Sequence, residues 1–152
     1  MSLAGGASKG CRGVTLIEMM IVTLLLSLIA GVSFPAVSAG LETIRLSSAS
    51  DSVASFLNGA LNRAERRREV VEVAISPKEN MLWMRSTQPG FERKLEMPDG
   101  VSIQGEPRRF LFLPGGTPPG VSIEMVNRKG ARRAVRIDPM TGTPRIERTP
   151  ST

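Results

Sequence analysis

The residue types that most often carry catalytic or metal chemistry are nearly absent from this chain. It contains no histidine, and Cys11 is its single cysteine. Zinc, copper and iron sites lean on histidine and cysteine ligands, and Cys–His and Ser–His nucleophile pairs both require a histidine. The 14 acidic residues show no recognisable pairing for general acid–base chemistry. We therefore expect no enzymatic activity, no metal site and no cofactor.

One carboxylate stands at an unusual place. Glu18 directly precedes Met19–Leu41, a run of 23 residues without a charged side chain. A carboxylate at membrane depth costs up to about 3 kcal/mol and usually marks function. The alternative is local, because Thr15 and Glu18 have the spacing of a capping box, in which both side chains satisfy free amide groups at a helix start. Both interpretations stay open, and they are compatible only if the helix starts at Thr15.

The uncharged run predicts a membrane-spanning helix. As a helix, Met19–Leu41 is about 34 Å long, which exceeds the roughly 30 Å of a bilayer core. Lys9 and Arg12 precede it, so the positive-inside rule keeps the N-terminus cytoplasmic. Pro35 removes an amide donor from the run, and we expect a kink or local melting there.

The segment around Glu18 resembles the prepilin signature of type IV pilins and type II secretion pseudopilins. The residues that carry the resemblance are Gly13 to Glu18, reading Gly-Val-Thr-Leu-Ile-Glu, and the apolar Met19–Val22 that follows. In that family a peptidase cleaves after the glycine and methylates the new first residue, here Val14. The family's glutamate at the fifth mature position falls on Glu18, and its common proline falls on Pro35. Val14 departs from the Phe or Met that is usual in the family.

The resemblance implies a structural role in a filament. Glu18 of one subunit would neutralise the α-amino group of a neighbour's Val14, an attraction that is strong in an apolar bundle of helices. The implied partners are other pilin or pseudopilin subunits, the prepilin peptidase, an inner-membrane assembly platform and membrane lipid. The implied location is a single pass through the inner membrane with the head in the periplasm, followed by incorporation into the filament.

We predict four segments in an α+β protein, with a long N-terminal helix packed on a small antiparallel β-sheet head. They are a leader at 1–13, a transmembrane assembly helix at 14–40, an amphipathic continuation at 41–68 and a β-rich head at 69–152. The apolar face of the continuation comprises Val53, Phe56, Leu57, Ala60, Leu61 and Ala64. Alternating patterns and turn residues predict strands at 70–75, 81–85, 91–97, 101–104, 108–113, 121–126, 131–138 and 143–147.

The C-terminal half resembles two branches of the same family, the H-type minor pseudopilins and the FimT-type minor pilins. The resemblance is carried by Phe110–Gly116, Val121–Met125 and Val135–Gly142. The first branch implies a minor pseudopilin that joins the type II secretion pseudopilus near its tip and supports protein export. The second implies a minor type IV pilin that binds DNA during natural transformation.

A basic hairpin keeps the DNA alternative open. From Gly120 onward the chain has seven basic and three acidic residues, enough to hold phosphates electrostatically. The G-R-x-R motif of FimT-type pilins is missing, because Gly142 is followed by Thr143, and no aromatic residue is interleaved for base stacking. A solvated hairpin and a subunit contact are the other interpretations. The candidate contacts for an anionic partner are Arg128, Lys129, Arg132, Arg133 and Arg136.

Overall fold

The structure, a computed structural model, describes residues 14–149, without the side chains of residues 32, 34–39 and 149. The leader and Gly13 therefore lie outside the described residues. The chain divides into a unit at Met1–Ser38 and a unit at Ala39–Thr152. The helix α1 (Leu16–Arg67) begins in the first unit and ends in the second.

The first unit consists, in its described part, of the N-terminal portion of α1. Its backbone is helical through position 35, so the local melting expected at Pro35 stays a prediction about the filament. Apolar side chains such as Leu16, Leu24 and Ile29 are exposed in the isolated chain. Among the described residues, the structure has no helix that combines the length and the apolar character needed to cross a bilayer. The membrane span at Met19–Leu41 stays a prediction.

Eight strands form two four-stranded sheets in the second unit. Sheet A has the strand order β3-β2-β1-β5 and sheet B the order β4-β6-β7-β8, and every pairing is antiparallel. The strand bounds are β1 (Val71–Ser76), β2 (Met81–Ser86), β3 (Glu92–Glu96), β4 (Val101–Gln104), β5 (Arg108–Phe112), β6 (Ser122–Asn127), β7 (Arg132–Ile137) and β8 (Pro144–Thr149). Each predicted strand is present within two residues at either end. The predicted α+β class, with a long helix on antiparallel sheets, is confirmed.

The core lies between one face of α1 and the inner faces of both sheets. The predicted apolar face is correct, because Val53, Leu57, Ala60 and Ala64 are fully buried. The face also begins earlier than predicted, at Leu46. From the sheets, the largest fully buried side chains are Phe112, Leu82, Met84, Ile123, Met125 and Ile137. Buried positions alternate with more exposed ones along strands such as β1, β4 and β6, and this alternation places the buried side chains on the inner faces of the sheets.

The C-terminal end of α1 is fixed by a buried ion pair. The Arg63 guanidinium lies 3.2 Å from a carboxylate oxygen of Glu69 and stacks on the Phe91 ring at 3.5 Å. The Ser86 hydroxyl donates to the same carboxylate. Arg68, with a positive φ of 54°, is the left-handed residue that ends the helix and turns the chain into β1.

The turn at Pro98–Gly100 does not close a hairpin. The flanking strands β3 and β4 belong to different sheets, so the turn carries the chain from one sheet to the other. Asn80, on another turn, ties the sheets together at this point. Its side-chain amide donates to the Val101 carbonyl at 2.8 Å, and its side-chain oxygen accepts the Ile103 amide at 2.9 Å.

Replacing Asn80 tests this connection. Its φ of 55° is left-handed, which glycine tolerates and alanine does not. We expect Asn80→Gly to lower the free energy of unfolding by about 2 kcal/mol, for two lost hydrogen bonds. Asn80→Ala should lower it by about 1 kcal/mol more. Urea unfolding of the full chain in detergent measures both. Asn58→Ala, at an exposed helix position, is the control, and its free energy of unfolding should stay within about 0.5 kcal/mol of the parent value. Equal stability of Asn80→Ala and Asn80→Gly would contradict the prediction.

Candidate assembly site and basic hairpin

Thr15 caps the N-terminus of α1. Its hydroxyl oxygen accepts the Glu18 amide at 3.3 Å, and its carbonyl accepts the Met19 amide at 3.2 Å. The helix thus starts immediately after Thr15, which is the condition under which the capping and assembly interpretations of Glu18 are compatible. The cap uses the backbone amide of Glu18 and leaves its side chain free for another role.

The Glu18 carboxylate is exposed and has no polar partner among the described residues. It sits in the first turn of α1, where the helix dipole favours a negative charge. Val14 is four positions earlier and is also exposed. The arrangement therefore presents a free carboxylate one helical turn from the residue that would become the N-terminus after cleavage at Gly13.

Two hydroxyl residues inside the uncharged run, Thr23 and Ser27, form hydrogen bonds within the helix. The Thr23 hydroxyl donates to the Met19 carbonyl at 2.7 Å, and the Ser27 hydroxyl donates to the Thr23 carbonyl at 2.8 Å. Both bonds join positions four apart, the usual way in which Ser and Thr satisfy themselves inside a helix. These two polar groups therefore need no partner outside α1, whereas Glu18 does.

The five basic residues proposed for an anionic partner do not share one surface. Arg132 and Arg136 are exposed on the outer face of sheet B. Arg133 belongs to the opposite face, and its guanidinium donates to the Ser47 hydroxyl of α1 at 3.0 Å. Arg128 and Lys129 are exposed on the turn between β6 and β7. The strand alternation therefore separates residues that are adjacent in the sequence.

The outer face of sheet B carries charges of both signs. Ala134 lies between Arg132 and Arg136 on β7. Its register partners are Glu124 on β6 and Glu147 on β8. Diagonal neighbours on a sheet are about 7–8 Å apart, within reach of long side chains. The face is therefore a mixed charged surface, which favours the solvated-hairpin interpretation over a continuous track for phosphates.

Asp138 forms an ion pair with Arg145, a further basic residue of the C-terminal segment. Its carboxylate accepts the amides of Met140 at 2.8 Å and Thr141 at 3.2 Å, and it lies 3.3 Å from the Arg145 guanidinium. The two backbone hydrogen bonds, and then the charge of Arg145, hold the pKa of Asp138 below its ordinary value of 3.8. Arg145, three residues after Gly142, is thus paired with an acid of its own chain.

The single tryptophan lies on the other sheet. Trp83 is on the outer face of sheet A, with the Lys94 ammonium 4.0 Å from its ring centroid. It borders an open cleft that also includes Glu72, Arg85 and Arg109. Residues 122–148, which include the basic hairpin, contain no aromatic residue. The described residues also contain no group of three or more acids, cysteines or histidines that could hold a metal ion.

Comparison with known proteins gives two findings. Residues 8–34 match the family described as the prokaryotic N-terminal methylation motif, a match that includes Gly13, Val14, Thr15 and Glu18. The fold matches the crystal structure of the type IV minor pilin FimU of Pseudomonas aeruginosa (strain PAO1), at 18% sequence identity and a TM-score of 0.52. That match covers 72% of this chain and 92% of FimU.

No curated protein sequence matches this chain. The 18% identity to FimU establishes a shared fold and nothing about shared partners. The motif match ends at residue 34, whereas the fold match covers 72% of the chain. The prokaryotic N-terminal methylation motif at residues 8–34 and the fold of a minor pilin together support the resemblance to type IV pilins and pseudopilins.

Proposed function

We propose that this chain is a minor pseudopilin, a structural subunit that joins the type II secretion pseudopilus near its tip and supports protein export. The observation that carries the filament role is the free Glu18 carboxylate, exposed one helical turn from Val14 while Thr15 caps the helix. Its activity is assembly, and no reaction is catalysed by its residues.

Assembly proceeds through one charge pair. Cleavage after Gly13 gives Val14 a cationic α-amino group, which the Glu18 carboxylate of an adjacent subunit neutralises. At about 4 Å and an effective dielectric constant near 20, such a pair attracts with about 4 kcal/mol. A subunit stacked out of register would instead bury both charges unpaired, at several kcal/mol each. The pair therefore selects the axial register of the subunits.

Before assembly, the segment at 14–40 holds the subunit in the inner membrane with the head in the periplasm. The internally bonded hydroxyls of Thr23 and Ser27 suit an apolar environment. Lys9 and Arg12 keep the leader on the cytoplasmic side, where the prepilin peptidase and the assembly platform act. Pro35 lets the helix bend or locally melt when the subunit enters the filament.

A type IV pilus subunit is the second candidate. The match to the fold of the type IV minor pilin FimU supports this candidate. The DNA-uptake variant of this candidate is less well supported, because Arg133 bonds to α1 and Arg145 faces Asp138. With Glu124 and Glu147 between the remaining arginines, duplex DNA would meet acids as well as cations.

Deleting the gene in its host separates these functions. We expect loss of folded exoproteins from the culture medium, with surface pili and natural transformation unchanged. Complementation with the intact gene should restore secretion. Loss of pili with secretion intact would instead assign the chain to a pilus. Loss of transformation alone, restored by the parent gene and not by Arg132→Glu with Arg136→Glu, would assign DNA uptake.

Substituting Glu18 tests the charge pair itself. We expect Glu18→Gln to reduce the amount of the subunit in sheared filaments by roughly tenfold or more, because the neighbour's amine is buried without a counter-charge. Leader cleavage and the amount in the membrane should not change, since Gly13 and Val14 are intact. Asp51→Asn, which removes an exposed acid from the head portion of α1, is the matched control and should assemble normally. Normal assembly of Glu18→Gln would reject the pairing.

A further inference from the structure

The turn between β6 and β7 is built and anchored by one buried side chain. The side-chain oxygen of Asn127 accepts the amides of Lys129 at 3.0 Å and Ala131 at 2.9 Å. Its side-chain amide donates to the backbone carbonyl of Glu42 on α1 at 3.4 Å. The turn therefore has a fixed shape and a fixed position against the helix.

That position is the end of the head at which the uncharged run stops. Glu42 is the first charged residue after Met19–Leu41. Nearby contacts join the same end of the head, since the Arg128 amide donates to the Gly100 carbonyl at 3.1 Å and Arg133 bonds to Ser47. The turn is thus held next to the first charged turn of α1 that follows the run.

Cations predominate at this end of the head. Arg128, Lys129 and Arg132 are exposed, and the side chain of Arg45 is 45% exposed. We call these four residues the basic end. Among the nearby acids, Glu42 is mostly buried and lies 3.7 Å from Arg45, and Asp99 is on the neighbouring turn. Glu124 and Glu147 are diagonal neighbours of Arg132 on the outer face of sheet B. The excess of positive charge is therefore at the turn itself, where Arg128 and Lys129 exceed the one exposed acid, Asp99.

We propose that the basic end binds the headgroups of anionic phospholipids at the periplasmic surface of the inner membrane. This inference rests on the proposed function, because it requires the segment 14–40 to be in the bilayer. Arg45 is four residues beyond Leu41, about 6 Å along a helix. This distance is shorter than the Debye length of about 8 Å at physiological ionic strength, so the attraction is only partly screened there and is lost at high salt. The head would then rest on the membrane in a defined orientation before assembly.

The geometry favours a lipid surface over a nucleic acid. Exposed cations near an anionic bilayer gain attraction simply by proximity, without a particular arrangement. A duplex requires cations along the phosphate backbone, and here the outer-face row is interrupted by Glu124 and Glu147. Arg45 of the basic end follows the uncharged run by four residues, and the Asn127 side chain holds the turn with Arg128 and Lys129 against the helix at Glu42.

The experiment uses the full chain in vesicles. A dye is attached at Ala131→Cys, an exposed position of the turn, in a chain that carries Cys11→Ser. Quenching of the dye by lipids with spin-labelled headgroups reports how close the turn lies to the bilayer. Vesicles of phosphatidylcholine are compared with vesicles that also contain phosphatidylglycerol. We expect quenching to rise by roughly twofold or more with the anionic lipid and to lose this rise at high salt.

Matched variants identify the residues responsible. Arg128→Gln with Lys129→Gln should return quenching to the phosphatidylcholine level. Arg66→Gln with Arg67→Gln removes the same charge from exposed positions at the other end of the head portion of α1 and should keep the full rise. Circular dichroism confirms that each variant is folded.

The outcomes separate this inference from the proposed function. If the chain floats with both vesicle types but quenching is the same with and without phosphatidylglycerol, the proposed lipid contact is wrong. The membrane anchoring is then still supported. If both double variants lose the rise in quenching equally, the effect comes from net charge and not from the basic end. That result also overturns the proposed lipid contact. If the chain floats with neither vesicle type, the membrane anchoring and the lipid contact are both wrong.

Discussion

Burial of one narrow face of α1 against two sheets is the interaction on which the head depends. That face alternates large and small residues, with Leu46, Val53 and Leu57 set among Ala60, Ala64 and the buried Ser50. Small residues let the strands approach the helix closely, while the larger ones fill the space between the sheets. Ser50 is tolerated there because its hydroxyl donates to the Leu46 carbonyl at 2.7 Å.

The polar contacts of the head are consequences of that packing. Once both sheets lie on one helix, the open junction between them needs hydrogen bonds, and Asn80 supplies them from a turn. Asn127 similarly satisfies its own turn and a helix carbonyl. The same packing leaves the outer faces of both sheets to charged residues, and it holds the hairpin cations near the start of the head portion of α1. The N-terminal part of α1 carries Glu18, the exposed charge of its first turn, to which we assign assembly in the proposed function.

Local patterns were sufficient to predict the elements and insufficient to predict their partners. Period-two alternation and turn residues located all eight strands, because side-chain direction is a local property. The division into two sheets depends on pairings such as Val71 with Phe112, which are far apart in the chain. The roles of Asn80 and Asn127 were missed for the same reason. Arg133 was recoverable, because it shares its strand face with the buried Val135 and Ile137. At the N-terminus, the motif around Glu18 depends on adjacent residues, so its cap could be anticipated.

Pairing between Glu18 and a neighbour's Val14 is tested most directly by zero-length cross-linking. An apolar carbodiimide activates a buried carboxyl group, which then forms an amide with an amine in contact. In filaments that contain an isotopically heavy copy of the chain among light subunits, we predict a cross-linked peptide that joins Glu18 of the heavy copy to the N-terminal amine of an adjacent subunit. Mass spectrometry identifies it by its mixed isotope content. Cross-links only within one copy, or activated Glu18 with no amine attached in intact filaments, would contradict the pairing.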